Sequence, residues 1–258
     1  MHIIIAADRL QIGSWVADHA ATELQRVIDE RGDARLLIAT GSSQFEVLDA
    51  LSRHSEVDWS RVTGFHLDEY IGLSPDHPAS FCGYLRERFV SRTPLKAFHY
   101  LRGDADAATT IQKASEAIRG HATQQPPIDV ALVGIGENGH LAFNDPPADF
   151  DIDDPYLVVK LDEACRKQQV GEGWFDDISQ VPQHAMSMSI RQIMKSAVIF
   201  CSVPDERKAM AVKNTVEGAV TPEVPASILQ NHPHATLIID RAAASQLSPK
   251  TVQGATPL

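Results

Sequence analysis

The sequence predicts an α/β protein in which helices cover both faces of a mostly parallel sheet, a three-layer α/β/α sandwich. Short apolar runs alternate with longer segments whose apolar residues recur at helical spacing along most of the 258 residues. The apolar runs are nearly continuous, as is typical of strands buried on both faces. In such sheets, ligands gather at the carboxyl ends of the strands.

The first half of the chain carries this alternation most clearly. A strand is predicted at residues 2–7, and apolar residues from Trp15 to Ile28 then recur at helical spacing before a turn at Arg31 and Gly32. The following elements are a strand at 34–40, a helix at 45–54, a strand at 61–67, a helix at 81–90, a short strand near 98–101, a helix at 106–121 and a strand at 128–136.

The second half continues the alternation of strand and helix. Strands are predicted at 156–161, 185–190, 196–203 and 235–240, with a helix at 205–218. No internal repeat, low-complexity tract or linker interrupts the pattern, so we expect residues 1–258 to form a single Rossmann-like domain. The tail after Asp240 becomes polar toward its end, and we expect it to fray.

Composition excludes several classes of partner. Lys and Arg number 23 against 34 Asp and Glu, and the net charge of -11 gives no general attraction to nucleic acid or an anionic membrane. The apolar run at the N-terminus is too short for a signal peptide or a membrane span, so we expect a cytoplasmic protein. Three scattered cysteines predict neither a disulfide framework nor a metal site.

A G-x-G-x-x-G motif, formed by Gly134, Gly136 and Gly139, follows the predicted strand at 128–136. In a dinucleotide-binding turn, this motif leads directly into a helix whose N-terminus holds the pyrophosphate. Here Pro146 and Pro147 disfavour such a helix, and the acidic residue within the motif opposes a phosphate. We therefore predict that no nucleotide cofactor binds and that the glycines bring a loop close to a small ligand.

A polar loop also follows the strand at 34–40. Thr40, Gly41, Ser42 and Ser43 offer hydroxyls, a flexible glycine and backbone N–H groups at a helix start, all of which suit a phosphate. An ordinary serine N-cap explains the same residues. The loop alone leaves both interpretations open.

Two adjacent acids, Asp68 and Glu69, follow the strand at 61–67. Adjacent side chains on a strand point to opposite faces, so we expect only one of them to enter a pocket. Apolar surroundings raise the pKa of a carboxyl group, which suits a general base. A solvated carboxylate in a turn is the alternative.

Taken together, these segments resemble the glucosamine-6-phosphate deaminase (isomerase) family. The resemblance rests on TGSS, GFHLDEYIGL, VGIGENGHLAFNDP, SVPDERKAMAVKNTVEG and ILQNHPHATLIID, which occur in that order from about the second strand to Asp240. The related 6-phosphogluconolactonases share the G-x-G-x-x-G-H core but lack the rest of that motif. The AFN and DEYIGL segments therefore favour the deaminase branch.

The resemblance implies a reaction and a set of site residues. An amino-sugar 6-phosphate is opened at its ring, its C2 proton moves to C1, and ammonia leaves to give a ketose phosphate. Asp68 is the implied C2 base and His140 the acid-base group for ring opening, because histidine ordinarily titrates near neutral pH. Lys208, Gly136 and the loop at 40–43 are the implied substrate and phosphate contacts, with no cofactor required.

Three positions depart from the family pattern. Asn138 stands where the family commonly has an Asp that orients the motif histidine, and Asp145 stands where it has a Glu. We place both in the predicted catalytic set. Asn138 can accept a hydrogen bond from an imidazole N–H but brings no charge, and Asp145 and Glu137 are the candidates to compensate for it. Glu172 stands where the family has a phosphate-binding Arg, which leaves Arg166 as the nearby substitute.

Two further functions stay open at this point. One is a 6-phosphogluconolactonase-like hydrolase, and the other is a sensor that binds a sugar phosphate without turning it over. Retention of both Asp68 and His140 favours the enzyme, because a pure binder needs neither a base nor an acid. The expected partner is a small-molecule sugar phosphate, and the oligomeric state, a homo-oligomer included, is left open.

Overall fold

A parallel sheet of eight strands forms the centre of the computed structural model, which describes residues 1–119 and 127–258. The strands of the described chain are β1 (His2–Ala6), β2 (Ala34–Ile38), β3 (Val62–His66), β4 (Asp68–Tyr70), β5 (Ala97–His99), β6 (Val130–Val133), β7 (Tyr156–Lys160), β8 (His184–Met188), β9 (Val198–Val203), β10 (Ala235–Asp240) and β11 (Thr256–Pro257). The order of the main sheet is β11-β1-β10-β9-β6-β2-β3-β5.

Helices cover both faces of this sheet. They are α1 (Arg9–Arg31), α2 (Phe45–Leu51), α3 (Phe81–Arg88), α4 (Ala107–Arg119), α5 (Glu163–Gly171), α6 (Ile190–Ile193), α7 (Ala209–Glu217) and α8 (Pro249–Gly254). One apolar cluster packs α1, α2 and α3 against the sheet, and a second packs α4, α6 and α7 against the opposite face. The prediction of a three-layer α/β/α sandwich is confirmed.

The longest helix begins and ends where local chemistry sets its limits. Asp8 caps α1 by accepting a hydrogen bond from the Gln11 N–H, and Gly32 ends it in the left-handed conformation at φ 88°. The turn predicted at Arg31 and Gly32 is therefore confirmed.

A small antiparallel sheet, in the order β4-β8-β7, stands apart from the main one. The strands predicted at 156–161 and 185–190 are present as β7 and β8. The prediction placed them in the parallel sheet, but β8 pairs with β7 on one side and with β4 on the other. In β7 only Tyr156 is buried, and the strand is otherwise half-buried or exposed, unlike the fully buried strand β2 of the main sheet. The helix α5, which follows β7, was not predicted.

The C-terminal tail is ordered, and the prediction that it frays is wrong. Residues 249–254 form α8, and β11 pairs with the edge strand β1. The Leu258 N–H donates to the Ile5 carbonyl at 3.0 Å. Edge pairing supplies hydrogen-bond partners that a polar tail otherwise finds only in water.

The helix predicted at 106–121 is present as α4 up to Arg119, and residues 120 and 121 lie outside the described part. Within residues 1–119 and 127–258, no helix has both the length and the apolar character needed to cross a membrane.

Four neighbouring strands, β9, β6, β2 and β3, end at the same edge of the sheet. From β2 the chain continues to β3 and β5 on one side, whereas β6, β9 and β10 lie on the other side. The boundary between β2 and β6 is thus a point where the strand order reverses. Crevices at such points are the usual ligand sites of open α/β sheets.

Candidate active site

The loops after these four strands enclose one cavity. Residues of these loops line the cavity together with residues of α3 and α5 and with Glu172, which follows α5. The lining residues are Ala39, Thr40, Gly41, Ser42, Ser43, Leu67, Asp68, Phe81, Gly134, Ile135, Gly136, His140, Ala142, Phe143, Gln168, Gln169, Glu172 and Lys208. Most of the predicted site residues therefore meet in one place.

The side chains of the two adjacent acids after β3 point in different directions, as expected from strand geometry. Asp68 lines the cavity, whereas Glu69 points into the protein and accepts hydrogen bonds from the Ser80 hydroxyl and from the N–H groups of Tyr70, Phe81 and Cys82. Glu69 thereby fixes the start of α3, which carries Phe81 into the cavity wall. Its role is to shape the site.

Burial makes Asp68 a weaker acid than an ordinary aspartic acid. Removal from water raises the pKa of Asp68 to about 8, and the neighbouring Glu69 carboxylate raises it further. Burial also raises the pKa of Glu69 to about 7, against the lowering effect of its hydrogen bonds. A carboxyl group with a pKa near 8 gains and loses a proton close to neutral pH, as a general base must.

The glycines of the G-x-G-x-x-G motif bend a loop around a histidine. A Cβ atom on Gly136 would lie 2.2 Å from the His140 ring, so only glycine allows the imidazole to pack there. Gly139 adopts φ +86°, and its N–H donates to the Gly136 carbonyl at 3.0 Å. No helix follows in residues 140–147, all of which the structure describes, and this matches the predicted departure from a nucleotide turn.

A carboxylate contacts one nitrogen of the His140 ring. His140 Nδ1 lies 3.1 Å from Asp145 Oδ1, which leaves Nε2 as the ring nitrogen available to a ligand. Burial raises the pKa of Asp145, but hydrogen bonds from His140, Asn138 and Asp162 outweigh it and lower that pKa overall. Asp145 is therefore a charged orienting group for the imidazole.

Of the alternatives that the sequence left open, the structure has Asp145, and not Asn138, in contact with the imidazole. The Asn138 amide nitrogen donates to Asp145 Oδ1 at 2.9 Å and to Asp162 Oδ2 at 3.1 Å, and its oxygen accepts from the His140 backbone N–H. Asp145 already occupies the imidazole nitrogen, so the amide bridges two carboxylates and supports the orienting group. Neither Asn138 nor Asp145 lines the cavity.

The loop at 40–43 forms another part of the cavity wall. Gly41 adopts φ +93°, and its carbonyl accepts hydrogen bonds from the Gln44 N–H and the Tyr84 hydroxyl. The Ser42 carbonyl accepts a hydrogen bond from Arg9. The loop continues into a 3-10 helix at Ser42–Gln44 and then into α2, whose first N–H groups lack intrahelical acceptors. Such a turn can hold an anion.

The cation predicted for this wall is present, but an acidic residue lies beside it. Lys208 Nζ lies 3.3 Å from Glu172 Oε1, and both residues line the cavity. Arg166, the predicted substitute for the family's arginine, donates to the carbonyls of Ile178 and Val181 and lies outside the cavity lining. The geometry therefore does not support Arg166 as a phosphate ligand.

One group of side chains is close enough to share a metal ion among the described residues. The donor atoms of His140, Asp145 and Cys165 lie within 4.8 Å of one another. Burial, with the nearby Asp145 and Asp162 carboxylates, raises the pKa of the Cys165 thiol far above its ordinary range. The prediction that no metal takes part stays a prediction.

Sequence reasoning missed part of the cavity wall. Phe81, Phe143, Gln168 and Gln169 contribute to the lining, and the Gln169 amide oxygen accepts a hydrogen bond from Tyr70. Phe143 lies within the AFN segment, so its position was available as a signal. The two glutamines lie on α5, which carries no distinctive motif.

Comparisons with known proteins agree with this geometry. The family model described as glucosamine-6-phosphate isomerases/6-phosphogluconolactonase matches residues 7–238. The glucosamine-6-phosphate deaminase of Oenococcus oeni is 39% identical over 213 residues, which cover 83% of this chain and 86% of that protein. The glucosamine-6-phosphate deaminase of Lactobacillus helveticus is 36% identical over 251 residues, covering 97% and 99% of the two chains.

Solved structures share the fold over nearly the whole chain. A monomeric glucosamine-6-phosphate deaminase of the NagB superfamily superposes with a TM-score of 0.85 at 29% identity, covering 95% of this chain and 99% of that one. A 6-phosphogluconolactonase from Thermotoga maritima superposes with a TM-score of 0.75 at 16% identity, covering 93% and 100%, and that likeness concerns the fold alone. Family model, relatives and fold agree, and the chain belongs to the glucosamine-6-phosphate isomerase/6-phosphogluconolactonase family.

Proposed function

We propose that this chain is an amino-sugar phosphate isomerase and deaminase. Its substrate is glucosamine 6-phosphate or a close epimer, and its products are a ketohexose 6-phosphate and ammonia. The observation that carries the proposal is the meeting, in one cavity, of a carboxyl group that titrates near neutral pH and an oriented imidazole. The curated relatives that bear the deaminase name support the same reaction.

Ring opening falls to His140. The C1–O5 bond of the cyclic sugar breaks when the O1 hydroxyl loses a proton and the ring oxygen gains one. An imidazole can perform both transfers, provided that one ring nitrogen is free and the other is held. The contact between Nδ1 and Asp145 supplies that condition and stabilises the imidazolium form by charge.

Proton transfer from C2 to C1 falls to Asp68. As a base, its carboxylate accepts the C2 proton from the open-chain aldehyde while the carbonyl oxygen gains a proton. The carboxyl group then returns its proton to C1, and the nitrogen forms a double bond to C2. Water adds to that carbon, and ammonia leaves. A pKa near 8 lets the same group act first as a base and then as an acid.

The phosphate end of the substrate lies against Lys208 and the loop at 40–43. A phosphate monoester accepts hydrogen bonds on three oxygens, and the hydroxyls and helix-start N–H groups of this loop are suitable donors. The site thereby positions C1 and C2 toward Asp68 and His140, which line the same cavity.

Ammonia release tests the proposal directly. The purified protein is incubated with glucosamine-, galactosamine- and mannosamine-6-phosphate, and hydrolysis of 6-phosphogluconolactone is measured beside them. We expect ammonia and a ketose phosphate from at least one amino-sugar phosphate, and little lactone hydrolysis. Lactone hydrolysis without ammonia would favour the hydrolase, and binding without turnover of any of these compounds would favour the sensor.

Several features of the protein stay predictions. We propose that residues 1–258 act as one domain and that the enzyme works in the cytoplasm, where sugar phosphates are formed and used. The homo-oligomer is untested, and one solved relative is monomeric. We propose that the reaction proceeds with neither a metal ion nor an organic cofactor.

A further inference from the structure

A carboxylate is built into the wall of the cavity beside its lysine. Glu172 and Lys208 both line the cavity, and their side chains are only 6% and 8% exposed. Glu172 Oε1 lies 3.3 Å from Lys208 Nζ, so the ammonium has a negative partner before any ligand arrives. The proposed function does not use this carboxylate.

Two neutral donors fix Glu172 independently of the lysine. Gln168 Nε2 donates to Glu172 Oε1 at 2.8 Å, and Trp174 Nε1 donates to Oε2 at 3.2 Å. Gln168 lies on α5 and Trp174 follows it closely in the chain, so all three belong to one local segment. A ligand that attracts Lys208 therefore leaves the carboxylate in place.

The charges around this end of the cavity balance one another. Among the described residues that line it, Lys208 is the only lysine or arginine. The nearby Arg207 lies outside the lining and pairs with Asp205 at 2.8 Å. A phosphate monoester carries roughly -1.5 to -2 charges at pH 7. It would meet one cation and one fixed anion, and repulsion between buried like charges is strong.

We propose that Glu172 is a specificity-determining residue that selects against a doubly ionised distal group on the substrate. The favoured distal group accepts a hydrogen bond from Lys208 and donates one to Glu172. A hydroxyl group and a singly protonated phosphate share that chemistry, because each carries an O–H. The inference rests on the proposed function for the orientation of the sugar, and it concerns only which amino sugars the site accepts.

A purely positioning role for Glu172 predicts the opposite result. If the carboxylate served only to hold Lys208 and Trp174 in place, its removal would loosen the lysine and weaken phosphate binding. If it opposes the anion, its removal strengthens phosphate binding, because the Lys208 charge is no longer neutralised. The sign of the change therefore separates the two roles.

The variant Glu172→Gln keeps the shape of the side chain and removes its charge. Inorganic phosphate serves as the first probe, in calorimetric titrations at pH 7.5, where it is mostly doubly ionised. We expect the Kd for phosphate to fall at least tenfold relative to the wild type. Glu206→Gln is the matched control, since Glu206 is exposed and lies outside the cavity lining, and it should leave the Kd within twofold.

A kinetic experiment distinguishes a hydroxyl group from a singly protonated phosphate as the preferred distal group. The ratio of kcat/KM for glucosamine 6-phosphate to that for glucosamine should rise at least tenfold in Glu172→Gln, through a lower KM for the phosphorylated sugar. Substantial wild-type turnover of glucosamine points to the hydroxyl, and wild-type turnover confined to the phosphorylated sugar points to the protonated phosphate.

The inference and the proposed function fail in different ways. Phosphate binding that is unchanged or weaker in a folded Glu172→Gln protein overturns the inference, even if the wild type releases ammonia. Absence of ammonia from every amino-sugar 6-phosphate with the wild-type protein overturns the proposed function, while the phosphate titration still decides the role of Glu172. Circular dichroism and thermal melting establish that the variant is folded.

Discussion

Two groups of residues in and beside the cavity treat buried charge in different ways. Around Asp68 and His140, a network of hydrogen bonds keeps the Asp145 carboxylate charged, whereas burial raises the pKa of Asp68. Glu172 and Lys208 instead neutralise each other directly as an ion pair. Both groups contain buried acids, so residue type alone does not define their roles.

The difference teaches that the partners of a carboxylate decide what it does. Asp145 accepts hydrogen bonds from Asn138, His140 and the Asp162 N–H, and the three together hold its charge. Within residues 1–119 and 127–258, Asp68 has no comparable set of donors, so the cost of desolvation dominates and its pKa rises. The first arrangement suits an orienting group, and the second suits a group that exchanges protons.

The largest effect is expected from Asp68→Asn, which removes the proton acceptor and preserves the shape. General acid-base groups contribute roughly 100- to 10,000-fold to rate, so kcat should fall within that range. Exchange of the C2 hydrogen with solvent should stop, while affinity for the sugar phosphate survives. Proton exchange followed by NMR measures the first effect and calorimetry the second. Full C2 exchange in the variant would disprove the role of Asp68.

The pH dependence of the stability of the same variant provides a second test of the raised pKa of Asp68. Because burial raises the pKa of Asp68 to about 8, the folded protein binds that proton more tightly than the unfolded chain. Stability of the wild type should therefore fall as pH rises from about 4 to about 8, by at most roughly 1.4 kcal/mol per pH unit. Asn cannot ionise, so Asp68→Asn should become relatively more stable over this range in denaturant titrations.

The second-largest effect is expected from Lys208→Met. A charge-assisted hydrogen bond contributes roughly 1.5–3 kcal/mol, so KM for glucosamine 6-phosphate should rise about 10- to 150-fold. Affinity for the unphosphorylated sugar should change far less. Lys250→Met, an exposed lysine on α8, is the control. Equal losses for both ligands would mean that Lys208 does not contact the phosphate.

A smaller effect is expected from pH. The base must be deprotonated to act, and Asp68 and Glu69 have pKa values of about 8 and about 7. Activity as kcat/KM should therefore rise about tenfold from pH 6 to pH 7 and level off above pH 8. A profile measured in buffers of constant ionic strength checks this, and a flat profile between pH 6 and pH 8 would contradict the assignment of Asp68.

The smallest effect is expected from Asn138→Asp. From the sequence alone, restoring the family's carboxylate should raise turnover, but the structure gives His140 its carboxylate from Asp145. The new carboxylate would instead face Asp145 and Asp162 without the two hydrogen bonds that Asn138 donates. We expect a stability loss of about 1–3 kcal/mol and turnover reduced several-fold. Increased turnover would show that the imidazole still lacks a charged partner.

Local patterns in the sequence were sufficient for much of the fold. The strand predicted at 235–240 matches β10, and α1 ends at the predicted glycine, because apolar periodicity and helix caps are local properties. The small antiparallel sheet and the tail strand β11 were not predicted, since pairing depends on segments far apart in the chain. The pairing of β11 with β1 joins the two ends of the protein.

From the sequence, the positions after predicted strands and the family resemblance predicted Asp68, His140 and the loop at 40–43 as site residues, and the resemblance alone predicted Lys208; all of them line one cavity. Only the tertiary structure decided how they are charged and oriented. It pairs Asp145 with His140, makes Asn138 a bridge between two carboxylates and brings Glu172 into contact with Lys208. A pKa and an ion pair depend on burial and on distances between side chains, which arise only when the chain folds.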